Sequence, residues 1–312
     1  MSKPCCKSMI AIVVLAVVWL APGPAAAQAP TAGAKKNTWS PSRTPDGQPD
    51  FQGIWKHEDW TPNVEEPATG RTVGLDPDAK RNPIVDPADG KIPYQPWAEA
   101  RRKDVHAHDG NPEAKLEYVD PQARCTPAGV PRLSYATPYN GYRFLQTPGY
   151  VVILAEWNHA YQIIPLDGRP HPPSNIRLFM GDSVGHWEGS NTLVVDTTNF
   201  NEMTWLDMRG TIHSDAMHVV ERFTMVDADT MDFQATVEDP KVLTRPFKLT
   251  YRYDRATKPR PDLAKHSAIK ADGSSTLWSE AATGPNFQLF EYACHEGNRY
   301  VELALTGSTN KR

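Results

Sequence analysis

Two consecutive alternating runs near the middle of the chain restrict its fold more than any other feature. In HVVERFTM, residues 218–225, the side chains of Val219, Glu221, Phe223 and Met225 share one face at the two-residue period of a strand. After the Asp227-Ala228-Asp229 turn, Met231, Phe233, Ala235 and Val237 repeat the pattern. A strand-turn-strand unit with one apolar face belongs to an antiparallel sheet that buries one side. Glu221 falls in line with core residues, so a carboxylate is expected inside.

The chain from Arg143 onward has the same texture. RFLQ, YVVILAEW and HAYQIIPL, separated by Thr147-Pro148-Gly149 and a break near Asn158, read as a three-strand meander. IRLFM, HWEG, TLVVDTTNF and VLTRPFKLTYRYD follow as strands, the last with Phe247, Leu249, Tyr251 and Tyr253 on one side. FQLFEYACHEG and RYVELALTG, meeting at Gly297-Asn298, read as a final hairpin. Short, closely spaced strands without βα alternation define an all-β fold, and an antiparallel, lipocalin-like β-barrel is expected because closure removes exposed edges.

Upstream the composition changes. Of the 29 prolines, 16 lie between residues 28 and 142, many in turn signals such as Asp86-Pro87-Ala88-Asp89-Gly90. This half reads as a strap without regular structure, packed on the barrel through Phe51, Ile54, Trp55, Trp60, Tyr94 and Trp97. One short helix is expected at Trp97 to Val105, with Pro96 suited to the first helical position. The segment before it, MSKPCCKSMIAIVVLAVVWLAPGPAAAQAP, pairs Lys3 and Lys7 with an apolar run and small residues at Ala25 and Ala27. That pattern is a secretory signal peptide, with cleavage expected after Ala27. The expected division is therefore signal peptide 1–27, Pro-rich strap 28–142 and barrel domain 143–312, with the mature chain secreted or periplasmic and without a membrane span.

Charge and cysteine usage narrow the partners. The chain carries 33 basic residues against 37 acidic ones, and loss of Lys3 and Lys7 tips the balance further, so nucleic acid is excluded as a partner. Cys5 and Cys6 leave with the signal, and the first expectation for Cys125 and Cys294 in an oxidising compartment is one disulfide. Two buried thiols, or a metal-binding or nucleophilic cysteine, are the alternatives.

Thr44-Pro45-Asp46-Gly47-Gln48-Pro49-Asp50-Phe51-Gln52-Gly53-Ile54-Trp55 gives a TPDGxPDFxGxW start, and QTPGYVVIL, IIPLDGRPH, GHWEG, TLVVDTTNF, HVVERF, VEDPK and EYACHEGN follow it. In these motifs the chain resembles a group of secreted bacterial proteins, over nearly all of its mature length. The resemblance implies one domain that includes the strap, and it brings no activity with it.

Glu221 is the first candidate for chemistry, because desolvation raises the pKa of an inward carboxyl toward acid/base use. Arg245, in phase with Leu243 and Phe247, is its expected partner, either as a structural ion pair or as the polar floor of a cavity. His159, His213, His218 and His295 form a second group, expected near one barrel mouth. Their spacing matches no metal signature, so no metal or other cofactor is assigned, and a metal site, acid/base or ligand-binding groups, and satisfied structural histidines all stay open. Gly181-Asp182-Ser183-Val184-Gly185 matches the G-x-S-x-G pattern of serine hydrolases, but a strand and not a helix follows it, so the motif is set aside. Among the aromatics, Trp187 is a candidate to stack on a ligand.

Two functions follow. In the first, a cavity binds a small organic ligand and Glu221, Arg245 and His218 perform acid/base chemistry of the lyase, isomerase, hydratase or hydrolase type. In the second, the chain is a non-catalytic carrier or binding module, and the same polar residues hold the barrel shut.

Overall fold

The computed structural model describes residues 39–57, 63–65, 83–108, 112, 115–135 and 141–257, together with residues 289, 294, 298, 299, 301, 302 and 306. Ten strands form one antiparallel sheet: β1 (Gly53–His57), β2 (Ile84–Asp86), β3 (Gly141–Thr147), β4 (Tyr150–Ala155), β5 (Tyr161–Pro165), β6 (Asp182–Glu188), β7 (Thr192–Thr198), β8 (His218–Met225), β9 (Thr230–Glu238) and β10 (Phe247–Arg255). The order β5-β4-β3-β1-β10-β9-β8-β7-β6 makes a nearly closed nine-strand barrel, with β2 paired to β10 off that path. The helix α1 (Pro96–Ala107) opens on Pro96, as its sequence predicts.

The alternating runs behave as read. Val219, Glu221, Phe223 and Met225 are all buried, as are Met231, Phe233, Ala235 and Val237 across the hairpin, in register Phe223↔Phe233. Phe247, Leu249, Tyr251 and Tyr253 bury the same face of β10.

The strap departs from expectation in one respect. It is not wholly irregular: β1 is a stave of the barrel, wedged between β3 and β10 with Trp55 opposite Tyr142 on one side and Arg255 on the other. GIWKH is a proline-free stretch, so its backbone can pair on both edges. The strand joins two meanders, β3 to β5 and β6 to β10, that would otherwise leave edges. Trp55 is fully buried, donates its Nε1–H to the Phe51 carbonyl at 2.9 Å and lies 4.2 Å beneath the Arg255 guanidinium. Farther along the strap, buried Arg132 holds Asp120 through two bonds of 2.8 and 2.7 Å. Tyr135 stacks on Tyr251 at 5.3 Å and donates to the Leu206 carbonyl at 2.7 Å.

Two expected strands differ. Among the described residues IRLFM makes only an isolated bridge, from Leu178 to Phe200, and Ile176 and Leu178 stay 43% and 42% exposed. In RYVELALTG, Val301 and Glu302 are helical, while FQLFEYACHEG falls almost wholly outside the described residues. The expected signal peptide lies outside them too.

The seam between β5 and β6 is closed by side chains. A Cβ at Gly185 would stand 2.5 Å from Ile164 Cγ2 of β5 and 3.2 Å from Leu166 Cδ2, so the approach of the two strands requires glycine there.

Candidate functional site

The strand phase of β8 places Glu221 between Val195 of β7 and Ala235 of β9, all three fully buried. Its carboxylate is enclosed by donors from other segments. Ser134, in the strap, donates its hydroxyl to Glu221 Oε1 at 2.9 Å, and Gln162 of β5 donates Nε2 to Oε2 at 3.0 Å. The chain of bonds continues from Gln162 Nε2 to Ser183 Oγ of β6 at 3.0 Å and from Ser183 Oγ to Thr197 Oγ1 of β7 at 3.0 Å. Tyr253 of β10 donates its hydroxyl to the Ser134 carbonyl. This buried network ties the strap to β8 and bridges the β5–β6 seam.

Burial raises Glu221 to about 7, and the bonds from Gln162 and Ser134 oppose the shift without cancelling it. Aromatic rings pack on the same inward face of the barrel: Phe223 lies 5.4 Å from Phe144 and 5.0 Å from Phe233, and Tyr253 packs edge-on to Tyr142 at 5.4 Å. Gln162 Oε1 is the one atom of the network buried without a partner.

The expected catalytic set does not assemble. Arg245 does not reach Glu221: it lies outside with its side chain 48% exposed, donating to Asp86 at 3.0 Å. It precedes the first residue of β10, and the two-residue period does not carry back through Pro246. His218 is on the outer face as well, because it stands three positions before Glu221 and an odd step reverses the side of a strand. There it meets residues not singled out from the sequence. His218 Nε2 lies 2.9 Å from Asp196 Oδ2, and His171 Nε2 lies 3.0 Å from the other oxygen of Asp196, with His171 Nδ1 2.7 Å from Asp182. The bond to Asp196 raises the pKa of His218, and the same bond lowers that of Asp196. This cluster fastens the Pro-rich β5–β6 connection to the outer face of β6, β7 and β8.

The remaining candidates scatter. His213 is a buried core residue, 2.7 Å from Thr204 Oγ1 and 3.1 Å from the Ser214 carbonyl, with its pKa lowered by burial. Beside it Asp207 organises the loop after β7: Oδ1 accepts the amides of Arg209 and Thr211 at 2.8 and 3.1 Å, and Oδ2 the Thr211 hydroxyl at 2.7 Å. His159 is exposed in a left-handed turn at φ 50°, and Trp187 points inward with its ring 5.1 Å from Phe51. His295 lies outside the described residues. The four histidines therefore share no mouth in the described part of the chain. Among the described residues no set of three or more His, Cys, Asp or Glu side chains is arranged to hold a metal ion.

Ser183 sits inside β6, facing Gln162 and Thr197, so the G-x-S-x-G stretch forms no strained strand-to-helix turn. Cys125 and Cys294 are bonded, with Cα atoms 5.5 Å apart, and Asn158 Nδ2 donates to the Cys125 carbonyl at 2.8 Å. No helix among the described residues is long and apolar enough to cross a membrane. No family model, curated protein or solved structure matches the chain.

Proposed function

We propose that this chain is an extracytoplasmic, non-catalytic binding module whose barrel interior is a core closed by polar bonds, and whose recognition surface lies on the outside. The observation that carries the reading is the state of Glu221. Each of its oxygens accepts a bond from a protein donor, the residue is fully buried, and Arg245 and His218 face away from it. Among the described residues no other charged side chain bonds to the carboxyl, so a substrate there would meet only the Ser134 and Gln162 donors. The cleavable leader expected at the N-terminus and the Cys125–Cys294 bond support the extracytoplasmic placement.

One observation favours the second reading, acid/base chemistry: a carboxyl near 7 is poised to exchange protons at neutral pH. A thermal-shift screen of small organic compounds on wild type and Glu221→Gln separates the two. For a binding module, every compound that stabilises wild type stabilises the variant to the same extent. A compound whose effect disappears in Glu221→Gln would establish a site at the carboxyl and overturn the proposal.

A further inference from the structure

A cleft of about 300 Å³ lies within the strap, between α1 and the segments at residues 63–65 and Lys91, and Asn63, Glu65, Lys91, Arg102, Lys103 and His106 line it. Its floor is a fixed ionic assembly. Arg102, with a side chain only 14% exposed, packs 5.4 Å over the Tyr94 ring. It donates to Glu99 at 2.9 and 3.1 Å and pairs with Glu65 at 3.3 Å. Glu65 is itself buried, and its other oxygen accepts the Ile92 amide at 2.8 Å.

The two carboxylates are thus committed to holding Arg102 in place, and Glu99 is shared with Lys103 at 3.2 Å. Lys91 and His106 face the same cleft without a carboxylate in ion-pair range among the described residues. The walls therefore carry more positive charge than the floor neutralises, around a guanidinium whose position is already fixed. A volume near 300 Å³ stands at the small end of ligand pockets, which run from about 300 to 1,000 Å³. Cationic groups on a rigid, partly desolvated base are suited to carboxylate or phosphoryl oxygens.

We propose that this cleft is the recognition site for a small oxyanion, a phosphoryl or carboxylate compound of a few heavy atoms. Lys91 and Lys103 supply the charge and the donors, and the Arg102–Glu65–Glu99 assembly fixes the floor beneath them. The assignment rests on the reading of the chain as an outward-facing binding module, and it fails separately from that reading. The screen with Glu221→Gln judges the interior, whereas the cleft is judged by its own lysines.

Isothermal titration of the mature protein with inorganic phosphate and with succinate, at constant ionic strength set by chloride, tests the site. Lys91→Gln/Lys103→Gln removes two charges from exposed positions, and Lys248→Gln on the barrel removes one elsewhere as a control. The expected result is saturable binding of at least one probe with a Kd of about 1 mM or tighter, weakened about tenfold or more in the double variant and unchanged in the control. Phosphate alone identifies a phosphoryl ligand, succinate alone a carboxylate, and both an oxyanion site of broad acceptance. Saturable binding of neither probe, or equal affinity in the double variant with an unchanged circular dichroism spectrum, overturns the proposal.

Discussion

Replacing Glu221 by glutamine should stabilise the protein at alkaline pH and do little at acid pH. The carboxyl ordinarily titrates near 4.5 and is lifted to about 7 by burial, so across that window the folded chain holds a proton that the unfolded chain has released. Stability falls as pH rises through the window, and above it the lost contribution levels off. A shift from 4.5 to about 7, at roughly 1.4 kcal/mol per unit, corresponds to about 3 kcal/mol. Glutamine keeps the size and carries no charge to bury. Its new N–H would face Gln162 Nε2, a donor against a donor, unless the Gln162 amide turns over. Turning it brings round Oε1, which has no partner now, to accept that N–H and a proton from the Ser183 hydroxyl. The variant therefore has a complete set of bonds available. Urea unfolding of both proteins at pH 4.5, 7 and 8.5 measures the effect. We expect nearly equal stability at pH 4.5 and a gain for the variant approaching about 3 kcal/mol at pH 8.5, or a melting-temperature rise of roughly 6–12 °C. Parallel pH profiles for the two proteins, or a loss of several kcal/mol at every pH, would refute the reasoning.

Three further predictions follow from other parts of the structure. Breaking the Cys125–Cys294 bond by alanine at both positions releases a closure across 169 residues and should cost up to about 5 kcal/mol in the chain-entropy model; equal melting temperatures with and without reductant would contradict it. Gly185→Ala should destabilise by about 1–3 kcal/mol, because its Cβ would collide with Ile164 across the seam, and an unchanged urea midpoint would mean the seam is looser than described. His218→Gln should destabilise more at pH 5.5 than at pH 8.5. The histidine's folded pKa is raised by Asp196, so its contribution is complete below its unfolded pKa and fades as pH rises through the folded one; a deficit that grows with pH would reverse the assignment.

How much was legible in the sequence depends on whether the information was local. The strand period alone buried Val219, Glu221, Phe223 and Met225 correctly and gave the β8–β9 hairpin its register, since one face of that pair is core. Pro96 announced α1 in the same way. Arg245 was misplaced because the period was carried across Pro246, where the strand had not begun. His218 was grouped with Glu221 although an odd spacing already separated their faces. Long-range partners left weaker traces. Thr197, a hydroxyl in phase with Leu193 and Val195, and Gln162, in phase with Ile164, were signs of a polar network inside the barrel, but nothing local pairs them with Ser134 in the strap. Nor does GIWKH state that it lies between β3 and β10; proline density hid a stave whose neighbours in sequence are turns.

On the proposed reading Glu221 titrates inside the barrel core and takes no part in binding. The most direct measurement is the carboxyl carbon shift of Glu221 in glutamate-labelled mature protein, assigned by its absence in Glu221→Gln and followed with pH, alone and with the compounds that stabilise the protein. The expected midpoint is about 7, the same with and without each compound. A midpoint near the ordinary glutamate value, or one that moves when a compound binds, would place the carboxyl in contact with solvent or ligand and contradict the claim.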